Sequence, residues 1–334
     1  MTTIQGTRRL GQRGPELSSV GLGCMGMSDF YGPTDETESL ATIHAALDAG
    51  LTLLDTGDFY GMGHNELLLR GVLRGAKRSN VFLQVKFGAQ RDPAGAFIGF
   101  DARPAAIKTA LAYTLRRLGT DYVDLYQPAR LDPTVPIEDT IGAIADLVRA
   151  GYVRHIGLSE VGTGTIRRAH AVHPITAIQI EYSLMSRSLE AEVLPTVRTL
   201  GIGTTAYGVL CRGLLADPRR QPPGTRDGRA HFPRFQGQNL LRNLALVQAL
   251  DAIAREKGAT AGQLAIAWVL SRGSDILPLI GARTRDQLRE ALAAVDISLS
   301  AADLQRIEGA VPAEQVAGTR YGAAQMVMLD SERP

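Results

Sequence analysis

A closed α/β barrel of the (β/α)8 TIM type is the fold this sequence predicts, and three observations carry it. Short apolar segments alternate with amphipathic helical segments along the chain, as in a parallel sheet covered by helices. Glycines punctuate the joints in "ALDAGLTLLDT", "RRLGTDYVDLYQ", "LVRAGYVRHIGLSE" and "VRTLGIGTTAYG". A glycine just after a helix takes the left-handed conformation without a Cβ clash, so Gly50, Gly119, Gly151 and Gly201 read as helix ends. Counting the segments after such joints gives strands near 19–23, 51–55, 81–86, 122–126, 153–157, 176–180, 202–206 and 275–279, and eight such units close a barrel. No linker divides the chain, so one domain is expected over 1–334.

The elements follow in order. The first strand runs into "GLGCMG", which matches G-x-G-x-x-G. A dinucleotide fingerprint needs a helix to begin at those glycines, and here "MSDFYGPTD" intervenes, so a tight turn at a barrel mouth is the better reading. An open dinucleotide-binding sheet is the alternative fold. The first helix follows Pro33-Thr34, with acidic residues in its first turn, where the helix dipole favours them. Its Leu40, Ile43 and Leu47 make one apolar face. "DTIGAIADLVRAG" and "AEVLPTVRTLG" carry similar stripes, while "TAGQLAIAWVLSRG" is apolar nearly all round, which places Trp268 in the core. After the seventh strand comes a long irregular stretch, "CRGLLADPRRQPPGTRDGRAHFPRFQGQN". Its glycines, prolines and arginines suggest a mobile, functional loop. After the eighth strand, Thr284 opens a helix with Gln287 at capping-box spacing.

Composition narrows the function classes. The 334 residues are 45% hydrophobic with a net charge of +2, which argues against nucleic acid or an anionic membrane as the main partner. Two distant cysteines build neither a disulfide framework nor a zinc site, which suits the reducing cytoplasm. No apolar run reaches the ~18 residues of a membrane span, and "MTTIQGTRRLG" lacks a signal-peptide apolar region. The histidines show no metal-binding spacing.

Chemistry in these barrels sits at the C-terminal ends of the strands. Read that way, Asp55, Tyr60, Lys86, Gln127, Ala129, Arg130, Ser159, Glu160, Gln179, Tyr207 and the Gly281-Ala282-Arg283 run face the mouth. A lysine leaving a buried strand needs a counter-charge, and Asp55 supplies it. A positive lysine near a phenol favours phenolate, so Lys86 is expected to lower the Tyr60 pKa and suit it to give a proton to a carbonyl oxygen. The alternative is a structural Asp–Lys pair with an ordinary loop tyrosine; three such groups at neighbouring strand ends favour chemistry. The helix N-terminus at Thr284 beside Arg283 reads either as a phosphate site or as a capped surface helix.

The stretches "GLGCMGMSDFYG", "LLDTGDFYGMGHNE", "VKFG", "LGTDYVDLYQ", "GYVRHIGLSE", "QIEYSL", "TTAYGVLCRGLL" and "GART" resemble the aldo-keto reductases over nearly the whole chain. The resemblance implies a barrel closed below by an N-terminal β-hairpin, matching "RRLGQRGPELSSV". It also implies hydride transfer from NADPH to a small aldehyde or ketone. Tyr60 would be the proton donor, with Lys86 and Asp55 tuning it. Ser159 and Gln179 would hold the nicotinamide carboxamide, and Tyr207 would stack on the ring. Gly208, Leu210, Arg212 and Gly213 would cover the pyrophosphate. Gly281, Ala282, Arg283 and Gln287 would meet the adenosine end, with Arg283 on a 2′-phosphate. Three positions depart from the family pattern. Glu160 stands where asparagine is usual, Ala291 replaces an asparagine that often contacts adenine, and Ala129 replaces the usual catalytic histidine. Arg130 is the next residue, but alternation along a strand would aim it at the opposite face. His64 sits at a helix start and reads as scaffold. The tail, "AEQVAGTRYGAAQMVMLDSERP", offers no substrate signal. Two further readings follow: a nucleotide-binding redox sensor with little turnover because of Ala129, and a lyase using Lys86 as a Schiff base, which the charge from Asp55 disfavours.

Overall fold

The computed structural model of the chain describes residues 6–28, 30–217, 219, 221–224 and 227–333. Strands β1 (Thr7–Arg9) and β2 (Glu16–Ser18) form an antiparallel hairpin. The barrel strands are β3 (Gly21–Gly23), β4 (Leu53–Gly57), β5 (Phe82–Phe87), β8 (Val123–Pro128), β9 (Val153–Ser159), β10 (Ala177–Glu181), β11 (Gly203–Tyr207) and β12 (Ile276–Gly281). They pair in parallel in that order and close on themselves through β12 and β3. A small antiparallel hairpin, β6 (Ala89–Arg91) and β7 (Phe97–Phe100), interrupts the alternation after β5. Its turn holds Gly95 at φ +85°.

Helices α1 (Glu36–Asp48), α2 (His64–Val72), α3 (Pro104–Leu118), α4 (Ile137–Arg149), α5 (Thr163–Val172), α6 (Val193–Thr199), α7 (Gly237–Glu256), α8 (Ala261–Ser271) and α9 (Arg285–Leu292) lie between and after the strands. Two more, α10 (Ala301–Ala310) and α11 (Ala323–Met326), follow. Asp35 caps α1 by accepting from the Glu38 N–H at 3.0 Å. The face α1 buries is centred on Ile43, Thr42, Ala45 and Ala46. Leu40 and Leu47 are only half-buried at its margin, because small residues let the helix approach the sheet. Trp268 is fully buried, as expected, and its indole N–H donates to Glu308 at 3.0 Å. All four joint glycines have positive φ.

Side chains fill the barrel's interior. Leu53, Phe82, Leu125, Leu277 and Leu279 pack there, and Leu10 and Leu17 of the hairpin segment seal it from below. The first glycine of "GLGCMG" belongs to this core. A Cβ on Gly21 would meet Leu53 at 2.7 Å and Leu279 at 2.9 Å. Gly21 therefore serves interior packing, and α1 begins only at Glu36. The last part of the segment between β11 and α7 packs on the barrel. Phe232 and Phe235 are buried in the main core, and Arg234 donates to Ser186 at 2.8 Å. Burial of these aromatics anchors a polar segment.

Candidate active site

Asp55 and Lys86 leave adjacent parallel strands at the barrel's upper end. Register sets Gly57 opposite Lys86, so both side chains rise into the same space. The Lys86 Nζ lies 2.7 and 2.6 Å from the two carboxylate oxygens of Asp55. Neither residue is more than 5% exposed. Gln84 and Gln179 also donate to Asp55 Oδ1, at 3.0 and 2.8 Å. Burial pushes the Lys86 pKa down, and the Asp55 charge and hydrogen bonds push back.

Tyr60 is placed by a sharp turn. Gly61, Met62 and Gly63 all have positive φ, which folds the chain back before α2 begins. The buried Tyr60 ring packs edge-on against Phe59, with centroids 4.9 Å apart, and the Lys86 Nζ stands 5.1 Å from its centroid. The resting phenol departs from the sequence expectation. Burial first, and then the Asp55 charge, push its pKa well above the ordinary phenol value, while Arg130 acts in the other direction. The group is therefore a neutral O–H donor at physiological pH, because the loss of water on burial, reinforced by the Asp55 charge, disfavours the phenolate.

Ser159, at the end of β9, is the register partner of Gln179, in the middle of β10. The Gln179 amide is shared between Asp55 and Gln127, whose Nε2 donates to Gln179 Oε1 at 3.2 Å. Tyr207, at the end of β11, donates its hydroxyl to Glu160 at 2.7 Å and lies 2.9 Å from the Tyr321 hydroxyl. Beyond it, Gly208, Cys211, Arg212 and Gly213 all take positive φ, making a tight turn that includes Leu210. Arg212 pairs with Glu181 at 3.0 Å, and its guanidinium carbon lies 4.6 Å from the Phe232 ring and 4.5 Å from the Tyr321 ring. On the far rim, Gly281 is exposed and Ala282 buried. Arg283 donates through Nη1 to the Tyr31 carbonyl at 2.8 Å and through Nη2 to the Pro33 carbonyl. Its Nε is buried and has no hydrogen-bond partner among the described residues. Gln287 reaches back to the Arg283 N–H, not to the Thr284 N–H that the capping-box spacing predicts, while Thr284 Oγ1 accepts from the Gln287 N–H.

The sequence model of the Aldo/keto reductase family matches residues 19–312. The chain belongs to the aldo/keto reductase family. It is 40% identical over 321 residues to a probable aldo-keto reductase 1 from Glycine max, an alignment covering 94% of this chain and 91% of that one. Its fold matches a glycerol dehydrogenase from Gluconobacter oxydans with a TM-score of 0.83 at 28% identity, covering 94% of this chain and 97% of the other. An aldo-keto reductase from Bacillus halodurans, in holo form, matches with a TM-score of 0.77 at 28% identity, covering 92% and 96%. The protein is thus an oxidoreductase of a family that works on carbonyl compounds with nicotinamide cofactors.

This aldo/keto reductase carries features at its mouth that its sequence did not disclose. Glu160, where asparagine is usual, has φ +55° and a fully buried carboxylate. It accepts from Tyr207, from both Nη atoms of Arg320 (2.8 and 2.6 Å), and from Ser331 at 2.6 Å. Burial opposes its ionisation, but Arg320 overcomes that and holds the carboxyl well below the usual range. The tail therefore contributes Arg320, Tyr321 and Ser331 to the mouth, contrary to its featureless reading. Glu181, also buried, gathers Arg212, Arg234 and Arg320. A charged residue ending an otherwise apolar strand, in "QIEYS", was the available signal for it. Arg130 needs a correction too. Strand β8 stops at Pro128, so alternation no longer governs it, and its guanidinium lies 3.5 Å from Ser159 Oγ and 3.2 Å from the Tyr321 hydroxyl. Ala129 is 3% exposed. His64 bonds Ser28 at the start of α2, which fits a scaffold role. Among the described residues no His, Cys, Asp or Glu group could hold a metal ion. No helix among them is long and apolar enough to cross a membrane.

Proposed function

We propose that this aldo/keto reductase reduces small aldehydes or ketones with NADPH, Tyr60 delivering the proton and Lys86 and Asp55 supporting it. The carrying observation is the buried Asp55–Lys86 pair with its ammonium 5.1 Å from the Tyr60 ring centre. A neutral phenol is the protonation state a donor requires. When its proton goes to a carbonyl oxygen, the phenolate left behind faces the Lys86 charge, and Asp55 keeps that lysine protonated. A positioned donor of this kind contributes ~10²–10⁴ in rate. The bound nicotinamide would supply the hydride.

The residues present fit a phosphorylated dinucleotide. Buried Arg212, Arg234 and Arg320, together with Arg130, outnumber the buried carboxylates Glu160 and Glu181, which leaves the mouth positive. The unpartnered Arg283 Nε offers a further donor at the far rim. In this reading Ser159 and Gln179 hold the carboxamide and Tyr207 packs on the ring. The turn of Gly208, Leu210, Arg212 and Gly213 covers the pyrophosphate. Gly281, Ala282, Arg283 and Gln287 hold the adenosine end, and Arg283 favours NADPH over NADH. We place the protein in the cytoplasm, where its two buried free cysteines would stay reduced, and treat residues 1–334 as one domain.

The test is NADPH oxidation across a panel of aromatic aldehydes and diketones, with wild type and Tyr60→Phe. The expected result is turnover that falls ~10²–10⁴-fold in the variant while NADPH binding persists. Tight NADPH binding without turnover on any carbonyl would instead support the redox-sensor reading that Ala129 suggests. Borohydride trapping of substrate on Lys86 would support the lyase.

A further inference from the structure

We propose that Arg130 is an anchor for an anionic group on the substrate, so that this reductase prefers aldehydes and ketones that carry a carboxylate. The inference rests on the carbonyl-reductase reading above and names a substrate class for the same site.

The arginines of the mouth divide into two kinds. Arg212 and Arg234 pair with Glu181, and Arg320 pairs with Glu160. Arg130 makes no ion pair among the described residues. Its contacts are the Ala129 carbonyl at 2.6 Å, Ser159 Oγ at 3.5 Å and the Tyr321 hydroxyl at 3.2 Å, all neutral. Glu160, the carboxylate whose charge reaches Arg130, is already committed to Arg320, Ser331 and Tyr207. A half-buried guanidinium without an anion is a poor arrangement for stability alone, and a planar fork of donors suits a carboxylate.

Its location makes an anion there a substrate's. Arg130 faces Ser159, and its charge acts on the Tyr60 phenol. A carboxylate held by it would sit on the same side of the mouth as the proton donor. The neighbouring residue is a methyl group, Ala129, where the family resemblance leads one to expect an imidazole. Ala129 is buried and uncharged, so it does not compete with Arg130 for an anion.

The experiment compares kcat/KM for 2-, 3- and 4-formylbenzoate with that for each methyl ester, using NADPH and the full-length protein. The ester keeps the electron withdrawal and removes the charge. The wild type is expected to favour at least one acid over its ester by ~10–100-fold, the range of a charge-assisted hydrogen bond. Arg130→Leu should collapse that ratio towards one, whatever it does to the ester rate, because the ratio cancels any general loss. Arg130→Lys should restore part of it, and raised ionic strength should shrink it. Turnover of the esters with no preference for any acid, or a preference that survives Arg130→Leu, would overturn the anchor and leave the reductase standing. Failure to turn over acids and esters alike would remove the reductase reading and the anchor with it.

Discussion

Replacing Asp55 by asparagine tests the pairing on which the proposed chemistry depends. The change removes the anion lying 2.6 and 2.7 Å from the Lys86 Nζ, where both residues are almost wholly buried. Breaking a buried pair by deleting one partner costs ~3–5 kcal/mol. Lys86 can escape part of that cost by shedding its proton, since burial already depresses its pKa and Asp55 is the main influence raising it. The loss should therefore lie near ~3 kcal/mol at pH 7. At ~2 °C per kcal/mol for a chain of this size, the melting temperature should fall by roughly 6 °C. The pH dependence has a definite sign. In the variant the folded state holds a neutral Lys86 while the unfolded state stays protonated to pH ~10, so the unfolded state binds more protons. Stability then rises with pH, and the deficit should shrink between pH 7 and pH 9. With the ammonium gone, the phenolate left by proton transfer loses its counter-charge, and kcat should fall ~10²-fold or more. Thermal melts at both pH values and steady-state NADPH oxidation read these effects. An unchanged melting temperature with an unchanged kcat, or a deficit that grows with pH, would refute the reasoning.

Arg320→Met should strand the buried Glu160 and cost ~3–5 kcal/mol in urea melts at pH 7. Because the folded Glu160 pKa is depressed, the pair's contribution is present above pH ~4.5 and fades on acidification, so wild type and variant should converge at low pH. Asp58 behaves oppositely: burial first, then Glu66, push its pKa up to about 7. The folded state keeps a proton that the unfolded chain releases between pH ~4 and ~7, so the group lowers stability as pH rises. Asp58→Asn should melt higher than wild type at pH 8 by the equivalent of ~1–3 kcal/mol, with no advantage at pH 4. Arg283→Met should raise the KM for NADPH ~10-fold or more and leave that for NADH nearly unchanged; equal effects on both would remove its proposed role at a 2′-phosphate.

Some of this was legible in one dimension. Glycines 50, 119, 151 and 201 end their helices because left-handed backbone is a local property, and the strands they precede lie within a few residues of where the apolar runs put them. Asp55 and Lys86 were legible as a pair because a parallel barrel sets consecutive strand ends side by side, and a buried ammonium demands an anion. Other features depend on where distant segments meet. Arg320 reaches Glu160 across 160 positions of sequence, and no periodicity encodes that contact. The direction of Arg130 turned on β8 ending at Pro128, and the capture of Arg283 by the Tyr31 and Pro33 carbonyls turned on the path of a loop. The protonation of Tyr60 was decided in space as well. Residue types show which charges exist, but only burial and distance determine whether the lysine's pull or the loss of water governs the phenol.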